Sequence, residues 1–254
     1  MKLSIRHFFI FIFFVVLSSI SPALAFKLEP ISKVFEPAGA GATQSYKIIN
    51  DTSEQIAVEL SMMKRKISLE GEETTEKADD DFLVYPSQMI LPPQSVQSVR
   101  VTWLGNPNPE KELNYRIIAE QLPINLKDTQ QSQSQAIAAG IKITFRYIGS
   151  VYIRPKNTQS KVILNGITHE KSKDGKDLLV ITFDNQGTRR AILSELNLNL
   201  TSDKGTQFTL KPEQLEGVNN GLILSGNQRR FSIPWPQQLP IGKVTGTFTF
   251  KDVE

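Results

Sequence analysis

Apolar and polar side chains alternate through most of the stretch GIKITFRYIGSVYIRP, residues 140–155. Its large apolar residues stand at every second position: Ile141, Ile143, Phe145 and Tyr147. A side-chain period of two predicts a β-strand with one apolar face. The strand would be longer than the usual length of about five or six residues. Its apolar face therefore needs a covering layer, which is either the chain's own core or another molecule.

The rest of the first half consists of further short runs of this kind, and no long stretch repeats apolar residues at helical spacing. These runs are QSYKIIN, QIAVELSMMKRKIS, FLVYPSQMILPP, SVQSVRVTWLG and LNYRIIAEQLPINL. Turn-forming residues separate them, and strands with this punctuation are typical of a β-sandwich. The sequence therefore predicts an all-β fold.

The second half repeats the pattern and predicts a second sandwich. The stretch KVILNGITHEKSKDGKDLLVITFDN predicts a hairpin with a tight turn at Asp174-Gly175, and AILSELNLNLTSDKGTQFTL predicts another. Proline cannot donate to a ladder, so the long strand should end at Arg154-Pro155. We therefore expect two domains, residues 26–155 and 156–254. Two polar segments, 70–81 and 127–135, are predicted to be mobile loops.

Residues 1–25 have the pattern of a secretory signal peptide. Lys2 and Arg6 precede an apolar run at 8–17, and SPALA ends in Ala23-x-Ala25. A membrane anchor is the alternative, but the run is shorter than the roughly 20 residues that a bilayer requires. Cleavage after Ala25 would leave a periplasmic protein with no integral membrane segment.

Charge and cysteine content argue against several classes of function. The 29 basic and 26 acidic residues are interspersed and form no basic stripe, so nucleic-acid binding has no support. The chain has no cysteine, which removes disulfides, cysteine nucleophiles and thiolate metal sites. An exported chain of this composition must be stabilised by core packing.

Candidate catalytic and metal-binding groups are scarce. His169 is the only histidine after residue 25, and its place beside a predicted hairpin turn favours a solvated side chain over a catalytic base. Asp79-Asp80-Asp81 lacks the alternating spacing and the glycine of a calcium loop, so it predicts a solvated run of charge. We therefore expect no enzymatic activity, no metal and no cofactor.

A binding function remains, and strand 140–155 is the candidate for it. A long strand at the edge of a sheet offers unpaired backbone groups to another chain. Addition of such a strand to a partner's sheet is a general mode of recognition. The alternative is an ordinary sandwich strand whose apolar side lies in its own core.

Four stretches resemble the PapD-like periplasmic chaperones of chaperone–usher pilus assembly. They are similar to the family's first strand and turn, its most recognisable proline-containing stretch, and its sixth and seventh strands. In this order they are KVFEPAG (33–39), FLVYPSQMILPPQSVQSVRV (82–101), KELNYRIIAEQLP (111–123) and IKITFRYIGSVYIRP (141–155). The parts NYRII and IGSVYIRP resemble the alternate or archaic branches more closely than the P-pilus chaperone.

The resemblance implies a boomerang of two immunoglobulin-like sandwiches and a chaperone function. Such chaperones lend their seventh strand to a pilin subunit that lacks a strand, until an outer-membrane usher exchanges it for another subunit's extension. Here the lent side chains would be Ile141, Ile143, Phe145 and Tyr147. Burying each contributes about 1.5–3 kcal/mol, so the four offer roughly 6–12 kcal/mol before ordering costs.

The resemblance also implies an anchor for the subunit's C-terminal carboxylate, and this sequence departs from it. The family commonly uses an Arg on the first strand and a Lys near the end of the seventh, but the matching residues here are Ser32 and Ser150. Serine carries no charge, so a carboxylate would lose its charge-assisted hydrogen bonds. We expect a substitute, with Arg116 on the sixth strand as first choice and Lys33 as second. If the neighbours of Arg116 are core residues, it faces the cleft; the alternative is a solvated surface arginine.

Glu112 and Arg154 match family positions that pair near the domain junction, so the resemblance implies that they fix the interdomain angle. The usual acidic partner from the second domain is not evident in IGKVTG. The leading prediction is a periplasmic chaperone with two kinds of partner, pilin-like subunits and an outer-membrane usher. The alternative is an exported immunoglobulin-like structural or adhesive protein. An exposed apolar edge also favours self-association, in which a second copy caps the strand.

Overall fold

The computed structural model describes residues 25–123 and 144–253, so the predicted signal peptide lies outside the described residues except for Ala25. The first ten strands are β1 (Phe26–Glu29), β2 (Ser32–Phe35), β3 (Thr43–Asn50), β4 (Ile56–Ile67), β5 (Glu73–Lys77), β6 (Phe82–Tyr85), β7 (Gln88–Leu91), β8 (Ser95–Trp103), β9 (Leu113–Gln121) and β10 (Arg146–Ile153). The other seven are β11 (Val162–Lys171), β12 (Asp177–Asn185), β13 (Ala191–Ser202), β14 (Gln207–Leu210), β15 (Leu222–Ile223), β16 (Gln228–Pro234) and β17 (Val244–Asp252). Short 3-10 helices lie at Gly39–Ala42, Asp79–Asp81 and Pro212–Gln214.

Strands β1 to β10 form the first sandwich. One sheet has the order β1-β3-β8-β6, and the other has the order β2-β10-β9-β4-β5 with β7 also paired to β4. Alternate side chains of both sheets point inward, as the period of two requires, and form one apolar core. Its largest fully buried side chains include Phe35, Tyr46, Ile48, Met62 and Ile117.

The chain changes sheets between its first two strands. β1 pairs with β3 in one sheet, and after Pro30 β2 pairs in parallel with β10 in the other. Proline has no N–H to give a ladder, so the break falls there. Gly149 of β10 packs tightly against this crossover, because a β-carbon on it would lie 2.7 Å from Ile117 Cγ2 and 3.1 Å from the Ile31 carbonyl oxygen. The crossover places β2 beside only the last part of β10.

Strands β11 to β17 form the second sandwich. One sheet has the order β11-β12-β16, and in the other β13 pairs with β14, β15 and β17. Its core contains Ile181, Phe183 and Leu193. β11 ends at Lys171 and β12 begins at Asp177, so the turn between them is longer than the predicted two-residue turn. Gly175 has a positive φ of 77°, whereas Asp174 does not.

The prediction of an all-β, two-sandwich fold is confirmed. The first sandwich's strands end at Ile153 and the second's begin at Val162, while the exact domain limits stay a prediction. The prediction of a mobile loop at 70–81 is wrong for its central part, since β5 pairs with β4 along Met63–Ile67. All five residues of β5 are exposed, so the strand leaves no apolar signal in the sequence. The segment 127–135 lies outside the described residues.

Candidate functional site

A polar row crosses the outer face of the β2-β10-β9-β4-β5 sheet. Tyr115 and Ile117 are 2% and 0% exposed in the core, so Arg116 between them points to the outer face. Ser32, Ser150 and Arg116 stand in register on β2, β10 and β9. Arg116 Nη1 donates a hydrogen bond to Ser150 Oγ over 2.6 Å. We call these three residues the serine–arginine row; it joins the first-choice anchor to both of the serine positions.

Beyond Arg116 lies an acidic side chain that the sequence does not single out. Arg116 Nε and Nη2 donate to Glu73 Oε1 and Oε2 over 2.7 and 2.6 Å, and Arg65 Nε donates to Glu73 Oε2 over 2.9 Å. The side chains of Arg65 and Arg116 are 8% and 16% exposed, and that of Glu73 is 30% exposed. The hydrogen bond from Arg116, helped by the charge of Arg65, holds the pKa of Glu73 below its usual value. We call Arg65, Glu73 and Arg116 the Glu73 cluster.

The surroundings of the Glu73 cluster carry an excess of positive charge. Burial and the charge of Arg116 lower the pKa of Arg65. Burial also lowers the pKa of Arg229 in the second sandwich, and the nearby charge of Arg65 lowers it further. The Arg229 guanidinium donates to the Leu222 carbonyl oxygen over 3.1 Å, and the charge of Glu70 acts in the opposite direction on its pKa. An excess of buried cations favours the binding of an anion.

The second-choice anchor, Lys33, lies apart from the serine–arginine row. Its Nζ donates to the Ser45 carbonyl oxygen over 2.9 Å and lies 5.7 Å from the centroid of the Tyr46 ring. Both contacts belong to β3 of the opposite sheet. The structure therefore brings Arg116, but not Lys33, together with Ser32 and Ser150.

The predicted donor strand is described from Thr144 onward, and β10 begins at Arg146. Phe145 and Tyr147 are partly buried against the first sandwich's core, and the Tyr147 ring meets Phe26 edge-on at 4.9 Å between centroids. Ile141 and Ile143 lie outside the described residues.

The first half of β10 has one unpaired side. β9 pairs with β10 along Arg146–Ile153, whereas β2 pairs with it only along Ser150–Ile153. In residues 25–123 and 144–253, no strand pairs with the other side of Arg146–Gly149. This half-strand is therefore an edge, and we call it the open edge.

Backbone direction shows which groups the open edge presents. The Phe145 carbonyl accepts a hydrogen bond from Gln121 of β9, whereas Ser150 N–H donates to Ile31 on the opposite side. Successive residues of a strand direct their N–H and C=O groups to alternate sides. The backbone groups of Arg146 and Ile148 therefore face outward. The Ile148 side chain is itself 48% exposed.

Glu112 and Arg154 meet at the junction of the two sandwiches. Glu112 is 1% exposed, and its Oε2 accepts hydrogen bonds from Arg154 Nε at 2.7 Å and Arg190 Nη1 at 2.8 Å. Glu112 N–H donates to the Thr188 carbonyl oxygen over 2.8 Å. The Arg190 guanidinium lies 3.5 Å from the centroid of the Tyr152 ring. The second sandwich thus contributes a cation to this junction, where the family pattern led us to look for an acid.

The β4–β5 turn makes a second contact between the sandwiches. Arg230 N–H donates to the Leu69 carbonyl oxygen over 2.7 Å, and Arg230 Nη1 lies 3.3 Å from Glu70 Oε1. Asn227 Nδ2 donates to the Ile67 carbonyl oxygen over 3.2 Å. The turn that precedes Glu73 is therefore held by β16 and the residue before it.

His169 has a simple structural environment on β11. Its Nε2 lies 2.5 Å from Asp177 Oδ1, and its ring meets Trp235 edge-on at 5.0 Å between centroids. Lys171 donates to the same Asp177 oxygen over 2.8 Å, and this lysine and then His169 lower the pKa of Asp177. These partners hold the imidazole in a hydrogen-bonded contact within the β11–β12 hairpin.

The aspartates at 79–81 are used locally. Asp79 Oδ1 accepts the Met62 N–H at 2.9 Å, and Asp81 Oδ2 accepts the Tyr115 hydroxyl at 3.0 Å. Among the described residues, no group of three or more His, Cys, Asp or Glu is arranged to hold a metal ion. No helix in this part of the chain is long and apolar enough to cross a membrane.

Comparison with protein families identifies the group to which this fold belongs. The profile described as "Pili and flagellar-assembly chaperone, PapD N-terminal domain" matches residues 33–159, half of the chain. The chain belongs to this family of pilus-assembly chaperones. The match begins at Lys33 in β2 and ends after β10, so it contains Arg116, Ser150 and the open edge, while Ser32 lies one residue before it. The family is periplasmic and is a class of chaperones, not of enzymes.

Individual relatives are distant in sequence. The probable fimbrial chaperone EcpB of Escherichia coli O157:H7 is 28% identical over 102 residues, which cover 40% of this chain and 45% of EcpB. The chain thus spans less than half the length of the curated relatives it matches. A second relative is a solved structure, the CsuC–CsuE chaperone–tip adhesion subunit pre-assembly complex from archaic Csu pili of Acinetobacter baumannii. One chain of that complex superposes on this protein with a TM-score of 0.56 and 17% sequence identity, and the match covers 87% of this chain and 92% of that chain. The class 5 fimbriae chaperone CfaA matches with a TM-score of 0.53 and 17% identity, covering 91% of this chain and all of that one. These similarities confirm the two immunoglobulin-like sandwiches.

Three residues of the site were not predicted from the sequence. Glu73 stands in a polar stretch without alternation, and Arg190 follows another arginine in a turn, so neither has a positional signal. Arg65 did have one. It lies three residues after the core residue Met62 on the same strand, so strand alternation places it on the outer face with Arg116.

The lowered pKa of Glu73 predicts a pH-dependent contribution to stability. Because its folded-state pKa lies below the usual 4.5, the pairing stabilises the protein above pH 4.5, and this contribution is lost as pH falls through the folded pKa. We expect the difference in unfolding free energy between wild type and Glu73→Gln to be largest near neutral pH and to shrink below pH 4.5. Urea unfolding from about pH 7 down to about pH 3 measures it. A difference that does not change with pH would contradict the prediction.

Proposed function

We propose that this protein is a periplasmic chaperone that holds pilin-like subunits by donor-strand complementation and delivers them to an outer-membrane usher. The observation that carries the proposal is the open edge of β10, in a chain that belongs to the pilus-chaperone family. An unpaired edge normally invites unwanted pairing, and proteins usually protect it. A chaperone of this kind uses it as the binding surface. The CsuC–CsuE complex of a chaperone with a tip subunit supports the same class of partner.

The proposed mechanism has a backbone part and a side-chain part. The outward N–H and C=O groups of Arg146 and Ile148 extend the sheet into the subunit, which gives affinity. The apolar row inserts into the subunit's open core, which gives specificity and register. Its members are Ile141, Ile143, Phe145 and Tyr147. The last two are only partly buried by the chain's own core, so they retain surface for a partner.

The serine–arginine row is the proposed anchor for the subunit's C-terminal carboxylate. Arg116 supplies the charge that the serines lack, and the hydroxyls of Ser150 and Ser32 supply further donors along the same line. Charge-assisted hydrogen bonds of this kind are shorter and stronger than neutral ones. Glu112, Arg154 and Arg190 would hold the second sandwich against the first and so fix the angle of the cleft.

The packing of Phe145 and Tyr147 against the first core favours a second candidate, an exported structural or adhesive protein. In that protein the strand would only complete its own sandwich, and no subunit would bind the open edge. Capping by a second copy is a further possible use of the edge. Binding experiments at the edge separate these functions.

Replacing Ile148 by proline should reduce subunit capture about tenfold, because it removes one outward N–H and the hydrogen bond that it would donate. The N–H groups that pair with β9 belong to the neighbouring residues, so the chain's own ladder is kept. The measurement is the amount of a co-expressed pilin, encoded beside the chaperone gene, that co-purifies from the periplasm.

The matched control is Ile148→Ala, which removes the side chain and keeps the N–H. We expect it to capture nearly as much subunit as wild type. Size-exclusion chromatography of the free protein reports any pairing between copies. If both variants capture the pilin equally well, or if wild type captures none, the open edge is not the binding surface.

A further inference from the structure

We propose that Glu73 occupies the carboxylate-binding position of the unliganded protein, and that an incoming C-terminal carboxylate binds Arg116 by displacing it. This inference rests on the proposed function, because it concerns the regulation of the same anchor. In this proposal the Glu73 carboxylate of β5 competes with the subunit's C-terminal carboxylate for Arg116. The competition sets how tightly a subunit must bind before it is retained.

The geometry of the contact is that of a bound ligand carboxylate. Two parallel N–H groups of Arg116, at Nε and Nη2, donate to the two oxygens of Glu73 over 2.7 and 2.6 Å. This is the two-point geometry with which guanidinium groups recognise carboxylates. The remaining Arg116 nitrogen, Nη1, is used by Ser150. A second carboxylate that sought the same two-point contact would therefore find it occupied by Glu73.

The position of Glu73 on the fold makes displacement inexpensive. Among the strands that the structure describes, β5 is the last of its sheet and pairs only with β4. All five of its residues are exposed, so its movement uncovers no apolar core. The Glu73 side chain is 30% exposed, so it can rotate away from Arg116 while the β4–β5 turn stays held by the second sandwich.

The charges explain why Glu73 would not be left unpaired after the exchange. Arg65 also holds Glu73, through Nε at 2.9 Å and Nη2 at 2.8 Å. When a ligand carboxylate takes Arg116, Glu73 keeps Arg65. The Glu73 cluster, which has two cations and one anion, then gains a second anion. The bound carboxylate thus neutralises the net positive charge of the Glu73 cluster, and that charge is costly because the two guanidinium groups are largely buried.

The test is a titration of the full-length mature protein with N-acetylglycine, a minimal C-terminal carboxylate, followed through the arginine Nε–H signals in ¹⁵N NMR spectra. Glu73→Gln removes the competing charge and should bind N-acetylglycine about tenfold more tightly than wild type. Glu76→Gln is the matched control, because Glu76 lies on the same strand in an exposed pair with Lys66 and its substitution changes the net charge equally. It should bind as wild type does. Arg116→Ala should lose the binding in either background, and N-acetylglycinamide, which has no charge, should bind to none of the proteins.

Glu73→Ala repeats the test with a second side chain, so that poor folding of one variant does not decide the result. If both Glu73 variants bind N-acetylglycine no more tightly than wild type, Glu73 positions Arg116 and does not compete, and the inference is overturned. The titration needs no pilin. Its outcome is therefore separate from subunit capture, and failure of capture with a successful titration would refute the proposed function alone.

Discussion

Replacing Glu112 by alanine should lower the free energy of unfolding by about 3–5 kcal/mol. The change leaves the guanidinium groups of Arg154 and Arg190 without their shared carboxylate, although their side chains are only 16% and 8% exposed. It also removes the acceptor of the Arg190 backbone N–H. Uncompensated charges at a buried junction are among the few causes of losses this large.

The same substitution should uncouple the two sandwiches. The chain has two tryptophans, Trp103 on β8 in the first sandwich and Trp235 after β16 in the second. Variants that retain one or the other, Trp235→Phe and Trp103→Phe, allow urea unfolding of each sandwich to be followed by fluorescence. We expect the two transitions to coincide with Glu112 present and to separate in Glu112→Ala.

Two controls isolate the cause. Glu76→Ala removes a glutamate from an exposed pair with Lys66 and should leave the free energy of unfolding close to that of wild type. Glu112→Gln keeps the volume and part of the hydrogen bonding without the charge, and we expect an intermediate loss. Coincident transitions and a loss below about 1 kcal/mol in Glu112→Ala would mean that the junction does not couple the sandwiches.

Ile143→Arg should reduce pilin capture by roughly a hundredfold or more. If the apolar row inserts into a subunit, this change places an unpaired charge in a core. The alternating sequence predicts that Ile143 shares a face with Phe145 and Tyr147, and removal of one large apolar contact would add to the loss. Co-purification from the periplasm measures the effect, with thermal unfolding to confirm that the chaperone itself is folded.

The matched control is Thr144→Arg, which introduces the same side chain at the next position. Strand alternation places it on the opposite face, so capture should remain close to that of wild type. Equal recovery of the pilin by wild type and Ile143→Arg would refute donor-strand complementation. It would support the exported structural protein as the alternative.

Much of the fold was predictable because most strands have one apolar face. The runs that became β3, β4, β8 and β9 each alternate against a core, and that alternation is visible in the sequence. β5 could not be predicted in this way, since neither of its faces meets a core. β16 was not predicted either. Its stretch QRRFSIP begins with two consecutive arginines, which interrupt the alternation of apolar and polar residues.

For the site, the sequence predicts which way a side chain faces on its own strand, but not which residues of other strands it meets. Alternation around Tyr115 and Ile117 gives Arg116 its direction, and the family pattern marks Ser32 and Ser150. Glu73 reaches Arg116 from two strands away, with β4 between them, and Arg190 reaches Glu112 from the other sandwich. Contacts between side chains so far apart in sequence depend on how the sheets and sandwiches assemble, which periodicity does not report.

If a subunit pairs with the open edge as proposed, the arrangement of β10 determines which molecule loses conformational entropy on association. β9 orders the strand along its whole length, β2 fixes its last part, and the tight contact at Gly149 prevents sliding. The part of the template at Arg146–Ile153 is thus held in place before any encounter, and under the proposed function the conformational freedom lost there on binding would belong mainly to the incoming chain. A partner that arrives incompletely folded would then be ordered against a surface whose register is already set, so selection among partners would act through their ability to match it.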